Sequence, residues 1–330
     1  MIRKLYRLYA DPTGARYYLR RKGAEIALLV RRWRVFTALL LATKVVTGYD
    51  YFERYVDRKL RTRDDSAVVE LEDGTLTLDL SDRGISRDLY LFRTREAHTT
   101  AIYRRELERV EHAHDGSMCI LDIGANIGYF ALTELATTSA DTSVLAFEPD
   151  EETIQLLEEN IADNGYQDRV TLECAAVGPE HTTATLEQAT HSNLNQIQTD
   201  TIDRHHATVE STTTVSMWSL DSYLEANDLD PESIGVIRMD VEGYEVEIFE
   251  GMETVLAAET PLLVFLEMHP HLLADEQTTD LLEQFAAAGF EIVSVSIEGS
   301  ISILGYDERQ DVTYDDLNEI EHGYRLFLRR

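Results

Sequence analysis

Ile120-Leu121-Asp122-Ile123-Gly124-Ala125-Asn126-Ile127-Gly128-Tyr129-Phe130 decides how this chain folds. The apolar run reads as a buried strand. It breaks at a glycine-bearing loop and resumes as the apolar start of a helix, and a strand–loop–helix unit of this kind builds a parallel sheet. Gly124 and Gly128 lack side chains, so a ligand can lie against the backbone there. The next apolar run ends Ala146-Phe147-Glu148-Pro149. Glu148 falls 26 residues past Asp122, at the tip of the adjacent strand. A carboxylate in that place can accept both hydroxyls of a ribose.

The same rhythm continues outward from this unit. Strands are expected at Cys119–Ile123, Val144–Glu148, Val170–Ala175, Thr214–Trp218, Val236–Asp240, Leu262–Glu267, Phe290–Ile297 and Tyr324–Leu328. Helices are expected at Tyr129–Thr137, Glu151–Asn164, Leu220–Ala226 and Thr278–Ala288. Asp150 should cap the second helix, and Gly165 and Gly289 should end the second and fourth. Residues 179–213 are polar, Thr-rich and irregular, with one hairpin. The pattern predicts a doubly wound α/β fold, a mainly parallel sheet covered on both faces. The last two strands, joined by a loop, suit an antiparallel pair at the edge. Cys119 and Cys174 both fall on expected buried strands and read as core residues, neither a disulfide nor a metal pair.

Charge divides the chain. Residues 1–63 hold 16 Lys/Arg against 5 Asp/Glu, and residues 64–330 hold 14 Arg against 56 Asp/Glu. Three parts follow: a basic helical segment (1–63), a hairpin around Asp73-Gly74 with helices leading inward (64–115), and the α/β domain (116–330). The net charge of −31 and the scarcity of Lys suggest adaptation to high salt, where screening weakens self-repulsion. An acidic catalytic part would repel phosphates, which argues against a nucleic-acid partner. The basic N-terminus lacks an apolar core followed by a small-residue cleavage site and is not expected to act as a secretory signal, and the longest uncharged run there, Val35 to Thr43, is too short to span a bilayer. A cytoplasmic protein is expected. Residues 1–63 could dock on the anionic inner face of the membrane, with Trp33, Phe36 and Leu39–Leu41 set among arginines. The same residues could instead pack on the acidic domain, within one chain or across a homodimer.

The first motif also selects a nucleoside. Dinucleotide sites use G-x-G-x-x-G with a pyrophosphate over the helix N-terminus. Here the spacing is G-x-x-x-G, and a carboxylate, Asp122, precedes it. Asp122 would repel a pyrophosphate but suits the ammonium of a methionine moiety. Asn126 and the loop N–H groups suit its carboxylate. The expected cofactor is therefore S-adenosylmethionine, with Asp122, Gly124, Asn126, Gly128 and Glu148 around it.

These segments, followed by Ala176-Val177-Gly178, Leu220-Asp221, Met239-Asp240-Val241-Glu242-Gly243-Tyr244-Glu245 and Phe265-Leu266-Glu267, resemble the FkbM family of S-adenosylmethionine-dependent methyltransferases. The resemblance covers about residues 117–268, and the Asp-Val-Glu-Gly run is its most specific part. It implies a Rossmann-like class I methyltransferase fold, adds Ala176 to the cofactor contacts, and implies methylation of hydroxyls on sugars or natural products. Arg238 stands where the family usually has Lys, a swap that keeps the charge.

In open α/β sheets ligands sit at the carboxyl ends of the strands. Asp240, Glu242 and Glu245 follow one such strand, and Glu267, His269 and His271 follow the next. Methyl transfer to an alcohol needs the oxygen held in line and a group to take its proton. Asp240 or His269 is the expected base, with Glu267 orienting the base or substrate. A metal-free site is favoured over one in which Asp240, Glu267 and Glu242 hold Mg²⁺. Glu242 and Glu245 could equally serve a helix N-terminus. His271 reads as a turn residue, His205-His206 as solvated loop and Trp218 as core. The leading function is O-methylation of a sugar, glycan or glycolipid precursor. Methyl ester formation on a uronic acid, and a non-catalytic nucleoside-binding module, are the alternatives.

Overall fold

A computed structural model describes residues 66–330 apart from 83, 94–95, 190–193, 199–208, 274, 298–307, 310–311 and 321–322. The basic segment 1–63 and His205-His206 lie outside the described residues.

A hairpin comes first: β1 (Ser66–Glu70) pairs antiparallel with β2 (Thr75–Asp79) around Asp73-Gly74. Helices α1 (Ile85–Phe92) and α2 (Ala97–Ala113) lead into the domain. Then β3 (Cys119–Ile123), α3 (Tyr129–Thr137), β4 (Ser143–Phe147), α4 (Glu151–Asp163) and β5 (Val170–Glu173) follow in βα order. Asp150 caps α4 by accepting from the Thr153 N–H at 3.0 Å, and Gly165 turns the chain away in the left-handed region.

Residues 179–213, expected to be irregular with one hairpin, hold more strand than that among the described residues, and the strand expected at Thr214–Trp218 begins earlier, at Val209. Short β6 (Ala176–Val177) pairs with β9 (Val209–Trp218), which pairs antiparallel along its length with β7 (Thr182–Ala189), and β7 carries β8 (Gln196–Ile197). The Thr-rich composition that reads as loop is a β-branched surface suited to a two-sided strand. Trp218 ends β9 half-buried against the core, as expected.

After α5 (Leu220–Ala226) the main sheet resumes with β10 (Ile234–Met239). Two short helices, α6 (Glu245–Phe249) and α7 (Glu253–Ala257), precede β11 (Leu263–Met268). Helix α8 (Asp275–Ala287), β12 (Glu291–Ile297), β13 (Glu308–Arg309), α9 (Tyr314–Leu317) and β14 (Tyr324–Arg329) complete the chain. The sheet order is β13-β12-β14-β11-β10-β3-β4-β5, parallel from β11 to β5. Strand β14 inserts antiparallel between β11 and β12, so the expected antiparallel pair is present and a two-residue strand forms the outer edge.

Strand alternation splits the core into two layers. Ile120, Val144, Val236 and Phe265 pack with Tyr103, Phe130 and Leu157 of α2, α3 and α4. Leu121, Leu145, Ile237 and Val264 pack with Tyr223, Phe249 and Phe285 on the opposite face. Both faces are covered, so the architecture is the doubly wound α/β fold that the rhythm predicts.

The hairpin is anchored to the domain by helix side chains. Asn164 accepts from the Thr75 N–H at 2.9 Å and donates to its carbonyl at 2.7 Å. Asn160, one turn earlier, does the same for Thr77 at 2.7 and 3.2 Å and also donates to the Ile127 carbonyl at 2.9 Å. Two amides at i and i+4 thus imitate the edge of a neighbouring strand.

The cysteine expectation needs correcting. Both are free, but Cys119 is only half-buried and Cys174 is exposed. Strand β5 stops at Glu173, so Cys174 lies past its end rather than in the core.

Candidate functional site

A cleft opens where the carboxyl ends of β3, β4 and β10 meet β6 and β8. Gly124, Asn126, Glu148, Ala176, Arg238, Asp240 and Glu242 line it, with an apolar wall that includes Ile123, Phe147 and Val177. Asp122 and Gly128 are not among the lining residues.

Glu148 is buried and aims into the cleft. Its carboxylate accepts the Asn126 N–H and the Asp150 N–H, each at 3.0 Å. Burial pushes its pKa up to about 7, against the pull of those two backbone donors, with Asp150 and Asp122 adding to the rise. Asn126 stands in the left-handed region at φ +51°, and its side chain accepts from the Ile127 N–H at 2.8 Å.

The two glycines, expected to clear space for a ligand, also have packing roles in the protein itself. Gly124 has φ +79°, and a Cβ there would meet the Asp240 carbonyl oxygen at 2.1 Å. Its bare backbone lets the end of β10 close against the loop, which brings Asp240 to the cleft. A Cβ at Gly128 would strike Leu157 of α4 at 2.6 Å. Gly128 therefore lets α4 pack closely against the start of α3.

Asp122 is also placed differently. Its side chain is fully buried and bonds Arg238 Nη1 at 2.7 Å. Burial raises its pKa, and the charge and hydrogen bond of Arg238 oppose the rise. Arg238 also bonds Asp240 Oδ2 at 2.8 Å and the Gly124 carbonyl at 3.1 Å, and it lies 4.3 Å above the Phe130 ring. The ammonium partner expected at position 122 is thus a side chain of the protein itself. A charged residue inside an otherwise apolar strand, Ile234-Gly235-Val236-Ile237-Arg238-Met239, is the signal by which sequence reading could have found this role for Arg238.

The next strand end gathers acids around one histidine. His269 is buried; its Nδ1 lies 2.7 Å from Glu245 Oε1, and its Nε2 lies 3.6 Å from Glu242 and 3.9 Å from Glu267. Burial pushes the imidazole pKa down, but Glu242, the hydrogen bond to Glu245, and the charges of Glu245 and Glu267 raise it well above its ordinary value. The imidazole expected as a candidate base is thus held among carboxylates that favour its protonated form. It also lies off the cleft lining. Glu245 opens α6 and accepts the Gly243 N–H at 3.0 Å as well, so it braces the turn and the imidazole together. Glu242 precedes that helix at φ +51°, a strained backbone of the kind that collects at functional sites.

Glu267 is held by Arg325, which donates to it at 2.6 Å and to Glu96 at 2.7 Å. Burial pushes the Glu267 pKa up to about 8, Asp240 and Glu96 reinforce this, and Arg325 and His269 oppose it. Glu267 is not among the residues that line the cleft. His271 is exposed. Asp240 remains the one expected proton acceptor on the cleft. One of its oxygens is held by Arg238, and its side chain is 23% exposed.

These residues fit S-adenosylmethionine. A buried carboxylate suits ribose hydroxyls, an apolar wall suits an adenine face, and Asp240 and Glu242 offer negative charge to a cationic centre. Among the described residues no helix is long and apolar enough to cross a membrane.

Residues 122–292 match the family described as the methyltransferase FkbM domain, more than half of the chain. Solved structures similar to it include the methyltransferase FkbM from Methylobacillus flagellatus KT, at 15% identity over 84% of this chain and 71% of that one, with a TM-score of 0.38. Another is the SAM-dependent methyltransferase from Agrobacterium tumefaciens, at 11% identity over 81% and 70%, with a TM-score of 0.41. No curated protein matches the chain.

Proposed function

Because the chain belongs to the FkbM methyltransferase family, we propose that it moves a methyl group from S-adenosylmethionine to a hydroxyl of a sugar, glycan or glycolipid precursor. Membership makes it a methyltransferase enzyme, and the non-catalytic binding module is set aside. S-adenosylmethionine supplies a methyl group made electrophilic by the sulfonium that carries it. Glu148 receives the ribose hydroxyls, and the walls formed by Phe147, Ala176 and Val177 receive the adenine. Asp240 takes the hydroxyl proton as the new oxygen–carbon bond forms and the sulfur–carbon bond breaks.

The observation that carries this reading is the placement of Asp240. Its carboxylate lies on the cleft with one oxygen fixed by Arg238, which leaves the other to face an acceptor. A poor nucleophile such as an alcohol needs that help; a carboxylate acceptor does not. Mass spectrometry of glycans and glycolipids from cells with and without the gene tests it. One methyl group, about 14 daltons of added mass, should vanish with the gene and should survive alkali as an ether. An alkali-labile mark would instead identify a uronic acid ester.

The acceptor could also fix where the enzyme works. Residues 1–63 carry 16 Lys/Arg against 5 Asp/Glu, a charge suited to an anionic membrane face and a lipid-linked acceptor. Flotation with anionic liposomes, comparing the full chain with one starting at Asp64, tests this. Equal flotation of the two, or none, would refute it.

A further inference from the structure

Side chains from two strand ends converge beside the cleft. Asp240 and Glu242 follow β10, His269 follows β11, and one ligand atom from each lies within 4.8 Å of the other two. Acids alone would not mark a site, since exposed carboxylates often cluster. The imidazole is the independent sign. His269 is 3% exposed, and its Nδ1 is engaged by Glu245 at 2.7 Å. Its Nε2 therefore points the other way, toward Glu242 at 3.6 Å and Glu267 at 3.9 Å, both past hydrogen-bond reach. That nitrogen makes no hydrogen bond and is ion-paired with the carboxylates when protonated; a metal bound among them would take its lone pair and displace that proton.

We propose that Asp240, Glu242 and His269 form a binding site for one divalent transition-metal ion, with Glu245 orienting the imidazole. Metal-bound histidines characteristically give their second ring N–H to a carboxylate, and Glu245 stands in that position, fully buried. Metal–ligand bonds of about 2.0–2.2 Å place ligand atoms roughly 3–4 Å apart. Asp240 and Glu242 are partly exposed, and their ligand atoms and that of His269 would have to close from within 4.8 Å to that spacing. Two carboxylates and an imidazole favour Mn²⁺, Fe²⁺ or Zn²⁺ over the all-oxygen ions Mg²⁺ and Ca²⁺. Glu267, the ligand expected from sequence, is left out because Arg325 holds it. The Mg²⁺ site considered from sequence thus changes both membership and metal. Asp240 and Glu242 line the cleft, so the open coordination positions face it. An acceptor oxygen bound there would become more acidic and could lose its proton to solvent, and with the ion in place Asp240 would act as a ligand instead of taking that proton itself. That last role rests on the hydroxyl reading above; metal binding does not.

The test uses the full chain, freed of metal by a chelator and titrated with Mn²⁺. Calorimetry and the loss of the free-ion paramagnetic resonance signal should show one ion per chain, displaced by Zn²⁺. Pulsed resonance on the bound ion should show coupling to a single imidazole nitrogen. Glu245→Gln should weaken binding about 10–100-fold, as loss of an outer-sphere partner does. His271→Ala, an exposed neighbour, should bind like the parent. No saturable binding, or bound Mn²⁺ without imidazole coupling, would overturn the proposal. Both readouts are made on the parent without an acceptor, so neither a misfolded variant nor a wrong substrate class affects them.

Discussion

Arg238 Nη1 lies 2.7 Å from Asp122 Oδ1, and both residues are almost wholly buried at the junction of the first and fourth parallel strands. The second nitrogen of the same guanidinium reaches Asp240 at 2.8 Å. One cation thus ties the cofactor loop's strand to the proposed proton acceptor. Its planar fork serves two carboxylates at once, which a single ammonium does less well.

Removing that cation should cost stability. Arg238→Met leaves Asp122 buried and uncompensated, and about 3–5 kcal/mol should be lost. Arg238→Lys should fold but lose most of the contact to Asp240, so its turnover should fall more than its stability. Denaturant titration beside initial rates separates the two effects. If Arg238→Met were as stable as the parent, Asp122 would have to be protonated, and the ion pair would not be the tie described.

Cofactor affinity should depend on pH through Glu148. Its pKa is raised by burial to about 7, so the carboxylate that accepts ribose hydroxyls forms only as pH rises through that value. Affinity for S-adenosylmethionine should climb across that range and then level off. Glu148→Gln should flatten the profile and weaken binding at high pH by about 1–3 kcal/mol. Stability should run the opposite way. The folded state holds this proton more tightly than the unfolded chain, so the group's contribution is full below the ordinary Glu pKa and is lost as pH rises through about 7. Calorimetric titrations and melting curves across pH check both signs.

Asp240→Asn should leave cofactor affinity nearly intact and cut turnover at least ~100-fold. The amide still accepts from Arg238 but cannot take the hydroxyl proton. Release of S-adenosylhomocysteine with saturating acceptor measures it. Unchanged turnover would send the search for the proton acceptor to Glu242.

Gly124→Ala should impair the fold around the site rather than the ligand alone. The added Cβ would meet the Asp240 carbonyl at 2.1 Å in a backbone conformation that L residues rarely adopt. Both melting temperature and cofactor binding should fall. Loss of binding with an unchanged melting temperature would mean the glycine serves the ligand only.

Asn164→Ala should free one end of the hairpin. Two backbone groups of Thr75 would lose their partner, at a cost of about 1–3 kcal/mol, because water replaces only part of it. Hydrogen exchange at Thr75 should accelerate while the central strands stay protected.

The sequence by itself determined the rhythm and therefore the sheet. Apolar runs alternate with capped amphipathic helices, and Asp150 and Gly165 mark the ends of α4 in residue type alone. Local order of this kind depends on neighbours a few residues apart, so it is legible in the chain. Thr182–Ala189 is the exception, because its strand character comes from pairing with Val209–Trp218 across the intervening segment. The site was only half legible for the same reason. Position at a strand's carboxyl end, readable from spacing, brought Glu148 and Asp240 to the cleft. Which charge meets which was decided by tertiary structure alone. Asp122 and Arg238 are 116 residues apart and meet because their strands are adjacent. His269 meets Glu245 across 24 residues because β10 and β11 are adjacent parallel strands whose carboxyl ends lie side by side. Burial then sets which carboxyls keep their protons, and burial is a property of the packed molecule that no stretch of sequence carries.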